Sequence, residues 1–252
     1  MDQADTLRHL LGQKRATINP ILGDMGADYA ACLGRFVLEQ QARQGRVAAL
    51  FDGSNSGLQE LLPEGSRKDL IDFFSRKYNL EDQAVQLAEG QYLVAASYGL
   101  QALAEKPAQS SALLDKLHRM PASCDRHYAT LPYEAVTLAK AFCPMDDWVW
   151  VIQPTARSVT RAFQAIRSSK GLDENIRHRV IVAGVKDADE ADHVFANLLE
   201  STTKYVANPL QYAGHLPALH SGKALNQVGR EMIAAGRRIA RAICSFDEHA
   251  LA

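Results

Sequence analysis

Apolar residues follow two alternating rhythms along the chain. Short runs that are apolar at nearly every position give way to longer stretches with an apolar residue every third or fourth place. The first rhythm marks strands covered on both faces, and the second marks amphipathic helices. Residues 16–22 read as a first strand, weakened by Asn19 and Pro20, because proline has no N–H to give a sheet ladder. Residues 23–27 make a turn. Residues 29–44 read as a helix with Leu33, Phe36 and Val37 inward, closed by Gly45. Residues 47–51 form an apolar strand carrying Asp52 at its tip.

The same reading continues to the end of the chain. A loop after Asp52 leads to a short helix at 58–62. Ser66 caps a helix containing Leu70, Ile71, Phe73 and Phe74, with Asp69 in its first turn. Residues 79–86 read as a short helix, 91–96 as a strand, 99–111 as a surface loop around Pro107, and 111–120 as a helix. Strands are expected at 124–130 (polar as it is), 147–153, 179–185 and 210–216, and helices at 132–142, 155–169, 187–204 and 226–246. Such alternation predicts an α/β fold: a mostly parallel central sheet with helices on both faces. Ahead of it, Asp2 can cap a helix that places Leu7, Leu10 and Leu11 on one side and stops at Gly12. The expected division is a leading helix at 1–13 and one α/β domain at 14–252.

Composition narrows the function. A formal net charge of −1 supplies no whole-chain basic field for nucleic acid or anionic lipid. The cysteines Cys32, Cys124, Cys143 and Cys244 form no CxxC pair, which argues against zinc or a disulfide framework and fits a reducing cytosol. No signal peptide is expected, so the location read from the sequence is cytoplasmic. The histidines, among them His118, His127, His178, His193, His215 and His220, lack metal spacing and read as surface residues. Asp146 and Asp147 read as the polar entrance to a strand, and Trp148 and Trp150 as core. Ser54, His127 and Asp52 make no triad, since no nucleophile elbow surrounds the serine. In the last helix Val228, Met232, Ile239, Ile243 and Phe246 oppose Arg230, Arg237, Arg238 and Arg241. That pattern suits a helix covering the sheet better than one lying on a membrane.

The order of segments resembles the MinD/ParA family of deviant P-loop ATPases, and within it the flagellar FlhG/FleN branch. GRVAALFDGSNSGLQELL is similar to the family's strand ending in an Asp-containing switch. VWVIQPTARSVTRAFQAI and VFANLLESTTKYVANPLQYAGHLP are similar to its later strand–turn–helix and helix–strand segments. The opening MDQADTLR resembles the D-Q-A-x-x-L-R segment of flagellar members at Asp2, Gln3, Ala4, Leu7 and Arg8. In the family that segment is a helix that docks on FlhF, a signal-recognition-type GTPase, and stimulates its GTP hydrolysis. Gln3 could orient an attacking water, and Arg8 could meet phosphate or a carboxylate.

The chain departs from the resemblance at the family's phosphate loop, G-x-K-G-G-x-G-K-[ST], which aligns with residues 23–31. Gly23 and Gly26 are kept. The signature lysine falls on Met25, the phosphate lysine on Ala30, and the Mg2+-binding hydroxyl on Ala31. Tyr29 puts a ring where backbone should approach phosphate, and Asp24 and Asp28 add negative charge to an anion's seat. Asp52 keeps the first switch aspartate, but Ser54 stands for the second. The family's next switch aspartate aligns with Ala129 and its adenine-contacting Asn with Ala183. The resemblance therefore implies a pseudo-ATPase that needs neither ATP nor Mg2+, acts through its leading helix, and is a monomer. Its expected partners are FlhF and flagellar switch proteins, with no nucleic acid and at most weak membrane contact at the cell pole. Two alternatives stay open: an ATPase that binds ATP and Mg2+ through an unusual loop, and a MinD-like partner in another polar process.

Overall fold

The computed structural model describes residues 18–24, 27–53, 69–74, 84–106, 113, 124–142, 147–169, 176–206, 208–219 and 225–244. Eight strands form one sheet: β1 (Ile18–Gly23), β2 (Ala48–Asp52), β3 (Val85–Ala88), β4 (Gln91–Ala95), β5 (Arg126–Leu131), β6 (Asp147–Ile152), β7 (Arg177–Val185) and β8 (Gln211–Pro217). Their order is β3-β4-β2-β5-β1-β6-β7-β8, and only the β3–β4 pair is antiparallel. The described helices are α1 (Ala27–Arg43), α2 (Leu70–Phe74), α3 (Ser97–Glu105), α4 (Val136–Phe142), α5 (Ala156–Ser168), α6 (Ala188–Thr202) and α7 (Leu225–Cys244). The expected α/β class and mostly parallel sheet are therefore what the chain adopts.

Alternating side chains of each strand feed two cores. One, with Trp148, Trp150, Leu131 and Val180, lies under α3 to α6. The other, with Leu33, Phe36, Val37 and Ile239, lies under α1 and α7. Burying α7's apolar face settles its role as a sheet cover, and its arginines stand on the outer side. Gly236 lets that helix close on α1: a Cβ there would lie 2.3 Å from the Phe36 ring. No described helix is long and apolar enough to cross a membrane.

Four expectations change. The described end of the helix expected at 79–86 belongs to β3. A Glu89–Gly90 turn, with Gly90 at φ 70°, folds it back on β4 as a hairpin. The loop expected at 99–111 begins as helix α3, because Leu100 and Leu103 share an inward face. That helix lacks a cap of its own at Ala96. Asp69 supplies one from outside, accepting the N–H of Tyr98 (3.2 Å), Gly99 (2.7 Å) and Ile71 (3.0 Å). The helix expected at 132–142 opens with a 3-10 turn, Tyr133–Ala135, before α4. Finally, α1 starts two residues earlier than its apolar period suggested, at Ala27.

His127 and His178, expected at the surface, are buried in the sheet. The polar β5 sits between β2 and β1, and the hydroxyls of Tyr128 and Thr130 find partners inside the fold. Gln41 Nε2 of α1 donates to the Tyr128 hydroxyl at 2.8 Å, and Thr130 bonds to Asp52. Trp150 Nε1 donates to His178 Nδ1 at 3.1 Å, and burial pulls the His178 imidazole down to about 4.

Candidate functional site

In an open parallel sheet, ligands bind beyond the carboxyl ends of the strands where the strand order reverses. Here that point is β1, flanked by β5 and β6. A cleft of about 710 Å3 opens there. Its lining includes Gly23 at the end of β1 and Asp24 after it, Gly53 after β2, Pro132 and Glu134 after β5, Gln153 after β6, and Ser97, Tyr98 and Gln101 of α3. No lysine or arginine is among the described lining residues.

The turn between β1 and α1 is short. Strand β1 ends at Gly23 and α1 starts at Ala27, leaving three residues, 24–26, to join them. A G-x-x-x-x-G-K-[ST] loop needs a longer stretch between its glycines to carry backbone N–H groups around a phosphate. Ala30, aligned with the phosphate lysine, lies within the helix, fully buried in the core shared with Leu33. Ala31 follows it in α1. Gly26 and Ser54 lie outside the described residues, as do Asp2, Gln3, Ala4, Leu7 and Arg8.

Asp24 is held by a cation from the next layer. Arg161 of α5 pairs with Asp24 on one side and with Glu134 on the other, and its guanidinium lies 5.8 Å from the centre of the Tyr133 ring. Partial burial works against the charge on Glu134, but the Arg161 hydrogen bond prevails and holds its carboxyl below the usual range. The Tyr133 hydroxyl donates to the Val151 carbonyl at 2.6 Å, and burial pushes its ionisation up. The arginine thus bridges the exits of β1 and β5 with α5. Sequence reading missed this cluster, since its members lie far apart in the chain.

Asp52, aligned with the family's first switch aspartate, ends β2, is fully buried and does not line the cleft. The Thr130 hydroxyl donates to Asp52 Oδ1 at 3.1 Å and accepts the Gly53 N–H at 3.1 Å. Ala129 and Ala183 are buried in β5 and β7. Tyr29, expected to crowd the phosphate turn, reaches the other way, toward the ends of β7 and β8. Asp147 is a structural anchor: it pairs with Arg177 at 2.9 Å and with the buried Arg179 at 3.0 Å. Among the described residues no cluster of histidine, cysteine and acidic side chains could hold a metal ion.

The sheet order and the cleft beside β1 define a P-loop-type α/β fold of the MinD/ParA kind. The cobyrinic acid a,c-diamide synthase of Mycobacterium smegmatis, solved with bound ADP and magnesium, matches with a TM-score of 0.64 at 17% identity, over 93% of this chain and 96% of that one. A plasmid partition protein of Borrelia burgdorferi bound to AMPPNP matches with 0.61 at 11% identity, over 92% and 99%. A chain of the MinC:MinD cell division protein complex of Aquifex aeolicus matches with 0.59 at 16% identity, over 91% and 96%. No family model matches the chain, and no curated protein matches it in sequence.

Proposed function

We propose that this protein is a nucleotide-independent member of the MinD/ParA fold group, a pseudo-ATPase of the flagellar FlhG/FleN type. In this reading it is a monomeric cytoplasmic regulator. Its leading segment, with Asp2, Gln3, Ala4, Leu7 and Arg8, docks on FlhF and stimulates GTP hydrolysis there. The α/β domain is the scaffold and a surface for further flagellar partners, and its role is to help set flagellar number or position.

One observation carries the first half of this reading. The three-residue turn ends one strand and opens the helix with a carboxylate, Asp24, already neutralised by Arg161. A triphosphate brought there would meet the Asp24 carboxylate, with Met25 and Ala30 where the family's lysines stand, and would have to displace an ion pair to reach Arg161. The second half rests on the match of MDQADTLR to the flagellar segment.

An assay of FlhF GTPase activity tests the second half. Adding this protein, or a peptide of its first residues, is expected to speed hydrolysis, and Gln3→Ala is expected to abolish the gain. Equal rates with and without either additive would overturn it. A second reading, an ATPase with an unusual phosphate loop, is favoured by the size and position of the cleft. Nucleotide titration separates the two.

A further inference from the structure

The β1–α1 turn and the first turn of α1 send two side chains in opposite directions. Asp24, just before it, goes to Arg161, while Tyr29 crosses to the carboxyl ends of β7 and β8. The Tyr29 hydroxyl donates to the Pro217 carbonyl at 3.4 Å and accepts the Leu219 N–H at 3.3 Å. A phenol has one proton to give and lone pairs to receive one, so both roles are filled at once. Its edge rests on Gly184, where φ is 85° and an added Cβ would sit 3.2 Å from the hydroxyl oxygen. Glycine leaves bare backbone there, which lets a flat ring lie close.

A carbonyl and an N–H two residues apart, beside a bare strip of backbone, can also read a flat heterocycle. The ring must carry a donor next to an acceptor. Adenine has this arrangement, an amino donor at N6 beside a ring nitrogen acceptor. We propose that Pro217, Leu219 and Gly184 form a seat for an adenine-type base, and that Tyr29 is its built-in occupant. The proposal deepens the reading of a nucleotide-independent scaffold and rests on it: Asp24 stands at the phosphate end and Tyr29 at the base end, so the chain fills both positions from within. The phenol also ties α1 to β7 and β8, which gives the fold a bond that a bound base would otherwise supply.

The test is thermal unfolding of the full chain, as wild type, Tyr29→Ala and Tyr29→Phe, with adenosine, inosine or phenol added. Adenosine carries no phosphate, so the outcome is independent of whether the wild type binds ATP. Tyr29→Ala is expected to melt lower, and millimolar adenosine to recover most of the loss. Inosine presents its O6 acceptor to the Pro217 carbonyl and its N1–H to the Leu219 N–H. It should act at least roughly tenfold more weakly, as expected when buried polar groups are mismatched. The wild type should not respond. Tyr29→Phe, which keeps the ring and loses both hydrogen bonds, should melt below the wild type. The proposal is overturned if folded Tyr29→Ala ignores adenosine, if inosine or phenol restores it equally well, if adenosine stabilises the wild type as much, or if Tyr29→Phe melts with the wild type. Should Tyr29→Ala fail to fold alone, refolding in adenosine must recover it, and no recovery overturns the proposal.

Discussion

Replacing Gly53 with alanine is expected to cost about 3 kcal/mol of stability, the upper part of the range for forcing a methyl group into packed surroundings. The residue follows β2 at the floor of the cleft. A Cβ there would lie 2.5 Å from the Thr130 carbonyl oxygen and 2.6 Å from Leu100 Cδ1. The leucine could rotate away. The carbonyl belongs to β5, whose register with β2 pairs Asp52 with Thr130, so it moves only with the sheet. The same shift would pull the Thr130 hydroxyl from Asp52 and from the Gly53 N–H. For a chain of this size such a loss lowers the melting temperature by on the order of 8 °C. Thermal unfolding followed by circular dichroism reads it directly, and an unchanged midpoint would contradict the close approach of β2, β5 and α3.

The second large effect is a loss of stability in mild acid that runs through His178. Burial holds its folded-state value at about 4, against about 6.5 in an unfolded chain. Above the unfolded value both states are neutral and the contribution is fully present. As pH falls below it, the unfolded chain takes up a proton that the folded one refuses, so stability declines until the folded imidazole titrates in turn. The whole window is worth about 3 kcal/mol, with about 2 kcal/mol lost between pH 7 and pH 5. Trp148 and Trp150 both lie against this ring, at 6.4 and 5.9 Å between centroids, so denaturant unfolding can be followed by tryptophan fluorescence. His178→Phe is expected to be less stable at pH 7, because Trp150 Nε1 loses its acceptor, yet to show a flatter slope between pH 7 and pH 5. Parallel slopes for the two proteins would contradict the assignment.

The parallel sheet was legible because its strands are covered on both faces, so β2, β6 and β7 announce themselves as apolar runs. Helices α5 and α6 were legible from their period, and Thr155 and Asp187, where the expected helices begin, cap them with their own side chains. What stayed hidden depends on partners distant in the chain. Helix α3 is capped by Asp69, nearly thirty positions earlier, and no local signal could reveal that. Strand β5 looks too polar to be central until Gln41 and Asp52 are placed beside it. At the site, the alignment named Ala30 and Asp52 but could not give their surroundings. The burial of Ala30 follows from the packing of α1 against the sheet and α7. The tie of Arg161 to Asp24 and Glu134 joins three segments that only the fold brings together. Tyr29 was expected to crowd the phosphate turn, but its ring points to the ends of β7 and β8, a direction set by the helix phase and not by its place in the sequence.

The account turns on whether the end of β1 can receive a triphosphate. Titrating ATP with Mg2+ into the full-length protein by calorimetry decides it. With Asp24 neutralised by Arg161, Ala30 in the core and Asp52 sealed beneath the cleft, no saturable binding is expected at millimolar nucleotide. A dissociation constant in the micromolar range, lost when Mg2+ is withheld, would contradict the account and restore the reading of a working ATPase.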